Sequence, residues 1–259
     1  MDGDPRFTVL GPLRVRFGTR VDVIGGRRER ALLAGLLLTP SQPVEVERLV
    51  DCLWPTTRPR DTGHALRTHV MRLRQHVGRD LVETSPGAYA LAVPPEAVDA
   101  HRFDREVAAG KLELQSRRLA GAEEALRAAL REWPGGAPWI DLAGTEVGEP
   151  ERARLNEERM QAEEWLAAVR LSMHRPALDD IEKLAVEAPL RESRWLLLMH
   201  ALTSEGQQAR ALRCYSRFRK RLRDEAGLDP DRRLQDMEHR ILDQDPSLVD
   251  LDPLTLVGS

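Results

Sequence analysis

The sequence predicts a mostly α-helical chain in two parts: an α+β region of short strands and three helices, then an all-helical region. Three observations carry this expectation. Near the N-terminus apolar and polar residues alternate, the period of a half-buried strand. From Asp99 onward the chain is rich in Ala, Leu, Glu and Arg at helical spacing. Between the two, Val93-Pro94-Pro95 ends an extended segment, since proline suits neither a strand interior nor a helix interior. The boundary is expected at residues 93–99, giving regions 1–95 and 99–246 and a flexible tail at 247–259 that carries Asp250 and Asp252.

The first region opens with a meander. Phe7-Thr8-Val9-Leu10 runs into the Gly11-Pro12 turn, Leu13–Phe17 alternates, Gly18 turns the chain again, and Val21–Ile24 completes three strands before Gly25-Gly26. A helix is expected over about Arg28–Leu38. Its segment Ala31–Leu38 is apolar nearly all round, so it belongs in the centre of the core. A second helix carries Val46, Leu49, Val50 and Leu53 at i, i+3, i+4, i+7 and stops before Pro55. A third begins near Asp61-Thr62, either of which suits an N-cap, and runs to about Val77. Two strands, Leu81–Thr84 and Tyr89–Val93, flank the turn Ser85-Pro86-Gly87. Three helices followed by a β-hairpin make a winged helix-turn-helix, here with a small antiparallel sheet in front.

In the second region Leu119, Ala122, Leu126 and Leu130 keep helical phase, and further helices are expected over about 150–173, 177–187, 191–204, 207–225 and 230–243. Trp195, Leu198, Leu202, Gly206, Ala211-Leu212 and Tyr215 are spaced like a tetratricopeptide-type (TPR-like) helix pair, whose repeat is roughly 34 residues. Such pairs bury a core only by stacking on neighbours.

Composition narrows the function classes. The chain has 259 residues and a formal charge of −3, so it is neither histone-like nor an acidic tail. The sum hides an asymmetry: residues 1–99 are net +2 and residues 100–259 net −5. Only Lys111, Lys183 and Lys220 among the 39 basic residues are lysine. Cys52 and Cys214 are far apart, which argues against a disulfide framework or a cysteine zinc site. No phosphate-binding, zincin, nucleophile-elbow or dinucleotide motif is present, so no enzyme activity and no cofactor or metal are expected. His69 and His76 read as lone surface histidines. The acidic start MDGDPRF lacks an apolar segment, and runs such as Ala31–Leu38 are too short to span a bilayer. A cytoplasmic protein without membrane contact is expected.

The third helix carries the functional signal. Leu66, Val70, Leu73 and Val77 fall within about 60° on a helical wheel and must face the core. The other side then presents His64, Thr68, Met71, Arg72 and Gln75, flanked by Arg67 and Arg74. Arg, Gln and Thr on an exposed helix face are the residue types that read base edges in a major groove. From Trp54 to Arg79 six arginines stand against one acid, a local charge of +5. Arg72 is the first candidate for base reading, with Thr68 and Gln75 beside it; Arg67 and Arg74 are candidates for phosphate. At the hairpin tip Thr84, Ser85 and the Gly87 backbone are candidates for phosphate contact. Arg27, Arg28, Arg30, Arg58 and Arg60 are candidates for contact with phosphate or a partner. The basic stretch Arg210–Arg223 reads as a solvated helix face, with a supplementary DNA or polymerase contact as the alternative reading. The competing reading is a helical-repeat adaptor whose winged region binds protein instead of DNA.

The order of short motifs resembles the Streptomyces antibiotic regulatory protein (SARP) family over about residues 6–248. The match runs through Phe7–Val15, Arg30–Ala34, Leu49-Val50-Asp51-Cys52-Leu53-Trp54 and Val70–Arg74. It continues in Val98-Asp99-Ala100-His101-Arg102-Phe103, Pro189–Glu192 and Glu225–Pro230. The resemblance implies an OmpR/PhoB-type winged helix joined to a bacterial transcriptional activator domain. It further implies a transcriptional activator of a secondary-metabolite gene cluster that binds direct repeats near the −35 element of promoter DNA. RNA polymerase, including sigma region 4, is then an expected partner, with Pro55–Arg60 the matching contact loop, and a dimer is expected at least on DNA.

Overall fold

The computed structural model describes residues 4–133, 135–175, 178–248 and 250–257. By packing, the chain divides into two compact units, Met1–Ala108 with Ala128–Arg159, and Ala109–Arg127 with Met160–Ser259.

In the first unit β1 (Pro5–Thr8), β2 (Arg14–Phe17) and β3 (Arg20–Asp22) form an antiparallel meander. The register pairs Phe7 with Val15 and Pro5 with Phe17. Phe7, Val15 and Phe17 turn inward while Arg14 and Arg16 turn out, as the two-residue period requires. The third strand stops at Asp22, two residues short of the expected end, and leaves Val23 exposed.

The helix α1 (Arg27–Leu37) is the core of this unit: Leu32, Leu33, Leu36 and Leu37 are fully buried. The helix α2 (Val46–Leu53) packs on it through Leu49, Val50 and Leu53. A side chain at Gly35 would stand 3.1 Å from the Cys52 sulfur, so the glycine is what lets these helices approach closely. The helix α3 (Thr62–Val77) buries Leu66, Val70, Leu73 and Val77, the stripe the periodicity predicts.

The hairpin strands, here β5 (Val82–Ser85) and β6 (Ala88–Leu91), pair Ser85 with Ala88 across the Pro86-Gly87 turn. Gly87 has φ +74°, the conformation that favours glycine at this turn position. A two-residue strand, β4 (Val44–Glu45), joins β6 and makes the sheet order β4-β6-β5. It was not expected from sequence.

The helix α4 (Asp99–Gln115) begins at a buried node. The Asp99 carboxylate accepts from the N–H groups of Val9 (2.8 Å), Leu10 (3.2 Å) and Ala100 (2.8 Å). His101 Nε2 lies 3.1 Å from the Leu37 carbonyl, and Arg102 pairs with Glu132 at 2.7 Å. Phe103 meets Trp133 edge to face at 5.4 Å. Trp133 follows α5 (Leu119–Glu132). Trp139, 2% exposed and left-handed at φ 48°, donates its N–H to the Val9 carbonyl at 2.7 Å. These contacts explain why residues 99–108 and 128–159, which the sequence places with the second region, pack in the first unit.

The second unit contains the later part of α6 (Gly148–Ser172) with α7 (Leu178–Glu187), α8 (Glu192–Ser204), α9 (Gln208–Ala226) and α10 (Arg232–Leu242). α8 is buried from Arg194 to Thr203. Its Arg194, 2% exposed, reaches Glu163 (2.6 Å), Glu164 (3.2 Å) and the Leu184 carbonyl (2.9 Å), so a buried charge is fully partnered. α8 and α9 form the expected TPR-like pair: Gly206 turns the chain at φ +72°, Ala211 is fully buried, and Trp195 packs on Phe218 at 5.5 Å. The segment expected as a flexible tail carries two 3-10 turns, Pro246–Leu248 and Pro253–Leu256. Leu248, Leu256 and Val257 are buried, and Gln161 Nε2 donates to the Val257 carbonyl at 2.9 Å. Residues 249, 258 and 259 of that segment lie outside the described residues.

Burial pushes the Asp99 carboxyl up to about 6 from an ordinary 3.8, against the pull of its three N–H donors. The folded chain therefore holds this proton more tightly than the unfolded one. The resulting stability is fully present below the unfolded value and is lost as pH rises through the folded one. Urea unfolding of wild type and Asp99→Asn should show the wild type losing ground to the variant between pH about 4 and about 7. A constant difference across that window would place the titration of this carboxyl elsewhere.

Candidate nucleic-acid interface

The outward face of α3 is set by its N-terminus and its buried stripe. The Asp61 carboxylate caps the helix by accepting from the His64 N–H at 2.8 Å. His64, Arg67, Met71, Arg72 and Gln75 are exposed together, and Thr68 is half-buried between them. The Thr68 hydroxyl donates to the His64 carbonyl at 3.1 Å. Met71, 57% exposed, sits at the centre of this face. Arg60, Arg67 and Arg79 make no ion pair among the described residues and leave the surroundings of the helix cationic.

Arg74 has a different placement from its flank-mates. Its Nη2 donates to the Val82 carbonyl (2.7 Å) and to Thr84 Oγ1 (2.8 Å), and its Nε adds a bond to the same carbonyl (3.2 Å). Arg74 thus braces the hairpin on α3, and Thr84 spends a lone pair on that brace. Ser85, Pro86 and Gly87 form an exposed tip. The Gly87 carbonyl accepts from the Val46 N–H at 3.0 Å, which ties the tip to the start of α2.

Two other arginines that sequence offered as contacts are taken up by acidic partners, Arg30 half-buried and Arg58 at the surface. Arg30 bonds Asp141 Oδ1 (2.7 Å) and the carbonyls of Ile24 (3.1 Å) and Gly25 (3.2 Å). Arg58 pairs with Glu47 and Asp51 of α2, which neutralises its charge. Arg27 and Arg28 stay exposed at the start of α1, Arg28 over the Trp54 ring at 5.7 Å from its centroid.

A cluster that sequence reasoning missed lies beside α3. Glu29 is buried, with Oε1 at 3.0 Å from His69 Nδ1 and 3.5 Å from Arg72 Nη1. Burial alone raises its pKa, but the hydrogen bonds of His69, its own backbone N–H and Arg72 outweigh that and hold the carboxyl below its ordinary value. His69 is therefore not a surface histidine: its side chain is 14% exposed and its ring lies 5.7 Å from Trp54. The groups border a cleft of about 410 Å3 whose walls include Arg28, Trp54, Thr56, His69, Arg72 and Thr145. The available signal was positional, since His69 falls at the edge of the Leu66/Val70 stripe. Its partner forty residues away had no signature.

Among the described residues no group of three or more His, Cys, Asp or Glu is placed to hold a metal ion. Nor is any helix long and apolar enough to cross a membrane. Both cysteines are buried and unpaired, and burial pushes the Cys52 thiol up to about 11, which makes it unreactive. A cationic helix face beside a braced hairpin suits recognition of a polyanion.

Comparison with known proteins agrees with that chemistry. Residues 98–242 match the family model "Bacterial transcriptional activator domain", and residues 20–88 match "Transcriptional regulatory protein, C terminal". The chain is 35% identical to the regulatory protein AfsR of Streptomyces coelicolor over 98% of its own length, but it spans only 26% of that protein. It is 32% identical to the regulatory protein DnrI of Streptomyces peucetius, with 94% of each chain covered. The solved structure of Mycobacterium tuberculosis EmbR in complex with a low-affinity phosphopeptide superposes with a TM-score of 0.88 at 30% identity, over 97% of this chain and 69% of that one. A winged α3 with its hairpin, the helical repeats and these matches make the chain a member of the SARP family of transcriptional regulators, which join an OmpR/PhoB-type DNA-binding region to a bacterial transcriptional activator domain.

Proposed function

We propose that this regulator activates transcription of a secondary-metabolite gene cluster by laying α3 in the major groove of direct repeats near the promoter −35 element. The observation that carries the reading is the single exposed face on which Arg67, Thr68, Met71, Arg72 and Gln75 stand together opposite the buried stripe. Arg72 reads a guanine edge, Gln75 an adenine edge, and Thr68 and Met71 offer apolar contact to a thymine methyl. Arg67 and His64 meet phosphate on one flank. On the other, Arg74 positions the hairpin so that Ser85 and the Gly87 backbone reach the sugar-phosphate chain.

The loop Pro55–Arg60 faces RNA polymerase, including sigma region 4, in this reading. With Arg58 taken up by α2, the contact falls to Thr56, Thr57 and Arg60, all exposed. Arg27 and Arg28 add phosphate or polymerase contacts; Arg30 is spent on Asp141. Repeats one helical turn apart, roughly 34–36 Å, place two copies on one face of the duplex. The resemblance to AfsR and DnrI, named as regulatory proteins of Streptomyces, supports the gene-cluster setting.

Footprinting on the upstream regions of the neighbouring genes tests the reading. Arg72→Ala should weaken cognate binding by roughly 1–3 kcal/mol and relax the base preference at one position of each repeat. Equal protection by the variant would remove α3 from the reading role. Arg67→Ala should weaken binding to all sequences alike. It should also lower the slope of log affinity against log salt by about one, from a wild-type slope near −0.9 per phosphate contact. A shallow slope and no protected repeat would instead favour the winged region as a protein-binding module.

A further inference from the structure

Glu29 stands in the first turn of α1, and its side chain is only 9% exposed. A helix N-terminus favours an acid there, which accounts for a carboxylate but not for its reach to another helix. One oxygen, Oε1, lies 3.0 Å from His69 Nδ1 and 3.5 Å from Arg72 Nη1. His69 and Arg72 are neighbours one turn apart on α3, so both meet the carboxylate from the same side. The other oxygen, Oε2, occupies space that Gly26 leaves open: a Cβ on Gly26 would lie 1.8 Å from it. Gly26 has φ −79° and ψ 129°, extended backbone that any residue adopts. Its missing side chain therefore serves the carboxylate and not the turn. Burial opposes the charge of Glu29, yet the hydrogen bonds of His69, its own main-chain N–H and Arg72 outweigh that and keep it ionised.

Arg72 needs what this carboxylate supplies. Its side chain is 57% exposed, and among the described residues Glu29 is the acidic group within ion-pair reach of it. A long arginine on an open helix face samples many rotamers, and fixing one costs entropy. The guanidinium carries several N–H donors in a rigid fork, of which a guanine edge takes a pair. Engaging Nη1 from the α1 side fixes the fork before DNA arrives and leaves its other donors free. The anchor itself is stationary, because α1 is buried along its leucines. We propose that Glu29 is a positioning residue for base recognition: it holds the Arg72 guanidinium from behind, while His69 and the space at Gly26 keep the carboxylate in place. The proposal rests on the reading of Arg72 as the base-contacting side chain. Glu29 then sharpens the base preference of a helix to which it does not belong. Its negative charge works against phosphate attraction at the same time, so it trades general affinity for discrimination.

Selection of duplexes from a randomised DNA library by the full chain tests this, with the base preference at each position compared among variants. Arg72→Ala should flatten the preference at one position of the selected site. Glu29→Gln and Gly26→Ala should each reduce the preference at that same position by about threefold or more and leave the other positions unchanged. Gly26→Ala keeps every charge and displaces the carboxylate, so it decides the matter even if Glu29→Gln misfolds. Affinity of Glu29→Gln for an unrelated duplex should be unchanged or higher, whereas partial unfolding would lower it. In an Arg72→Ala background, Glu29→Gln should cause no further loss of preference. Full preference retained by either variant, while Arg72→Ala flattens one position, overturns the proposal and leaves the reading of Arg72 standing. So does a loss spread equally over all positions. If Arg72→Ala flattens nothing, the reading of Arg72 falls and the proposal falls with it.

Discussion

The burial of one stripe of α3 determines what the first unit can do. Leu66, Val70, Leu73 and Val77 are all at most 2% exposed, packed on an α1 that is itself buried along its leucines. Each such side chain contributes roughly 1.5–3 kcal/mol of hydrophobic stabilisation, whereas an exposed ion pair contributes about 0–1 kcal/mol. The charges of this region therefore do not orient α3; the apolar stripe does, and the arginines go where it sends them. A rotation of the helix by one residue would exchange leucines for arginines in the core. The outward set of His64, Arg67, Met71, Arg72 and Gln75 is the geometric remainder of that packing.

A second constraint closes the same unit through residues near the middle of the chain. Asp99 receives three main-chain N–H bonds, His101 reaches the end of α1, Arg102 pairs with Glu132, and Phe103 packs on Trp133. The motif Val98–Phe103, a short string in sequence, is in space a row of fasteners. Asp99, His101, Arg102 and Phe103 each meet a different part of the unit, so the string cannot drift without undoing several contacts at once.

The elements that read well from sequence are those with a period. The meander alternates, α2 and α3 keep a 3.6-residue stripe, and the Pro86-Gly87 turn marks the hairpin, so their places were legible within a residue or two. β4 was not, because two residues carry no period; pairing with β6 alone makes Val44-Glu45 a strand. The partners of the arginines were illegible for another reason. Arg30, Arg58 and Arg74 look alike in sequence, yet Asp141, Glu47 with Asp51, and the Val82 carbonyl decide their roles. Only the fold brings those groups together. The C-terminal segment misled in the opposite way: its aspartates suggested solvent, while Leu248, Leu256 and Val257 were the residues that packed.

The claim that α3 presents its outward face to DNA is tested most directly by a photo-crosslinking residue at Met71, 57% exposed at the centre of that face. On irradiation with promoter DNA, a benzophenone side chain there should form a covalent adduct with a base of the protected repeat. Retained promoter binding with no DNA adduct from position 71 would contradict the account.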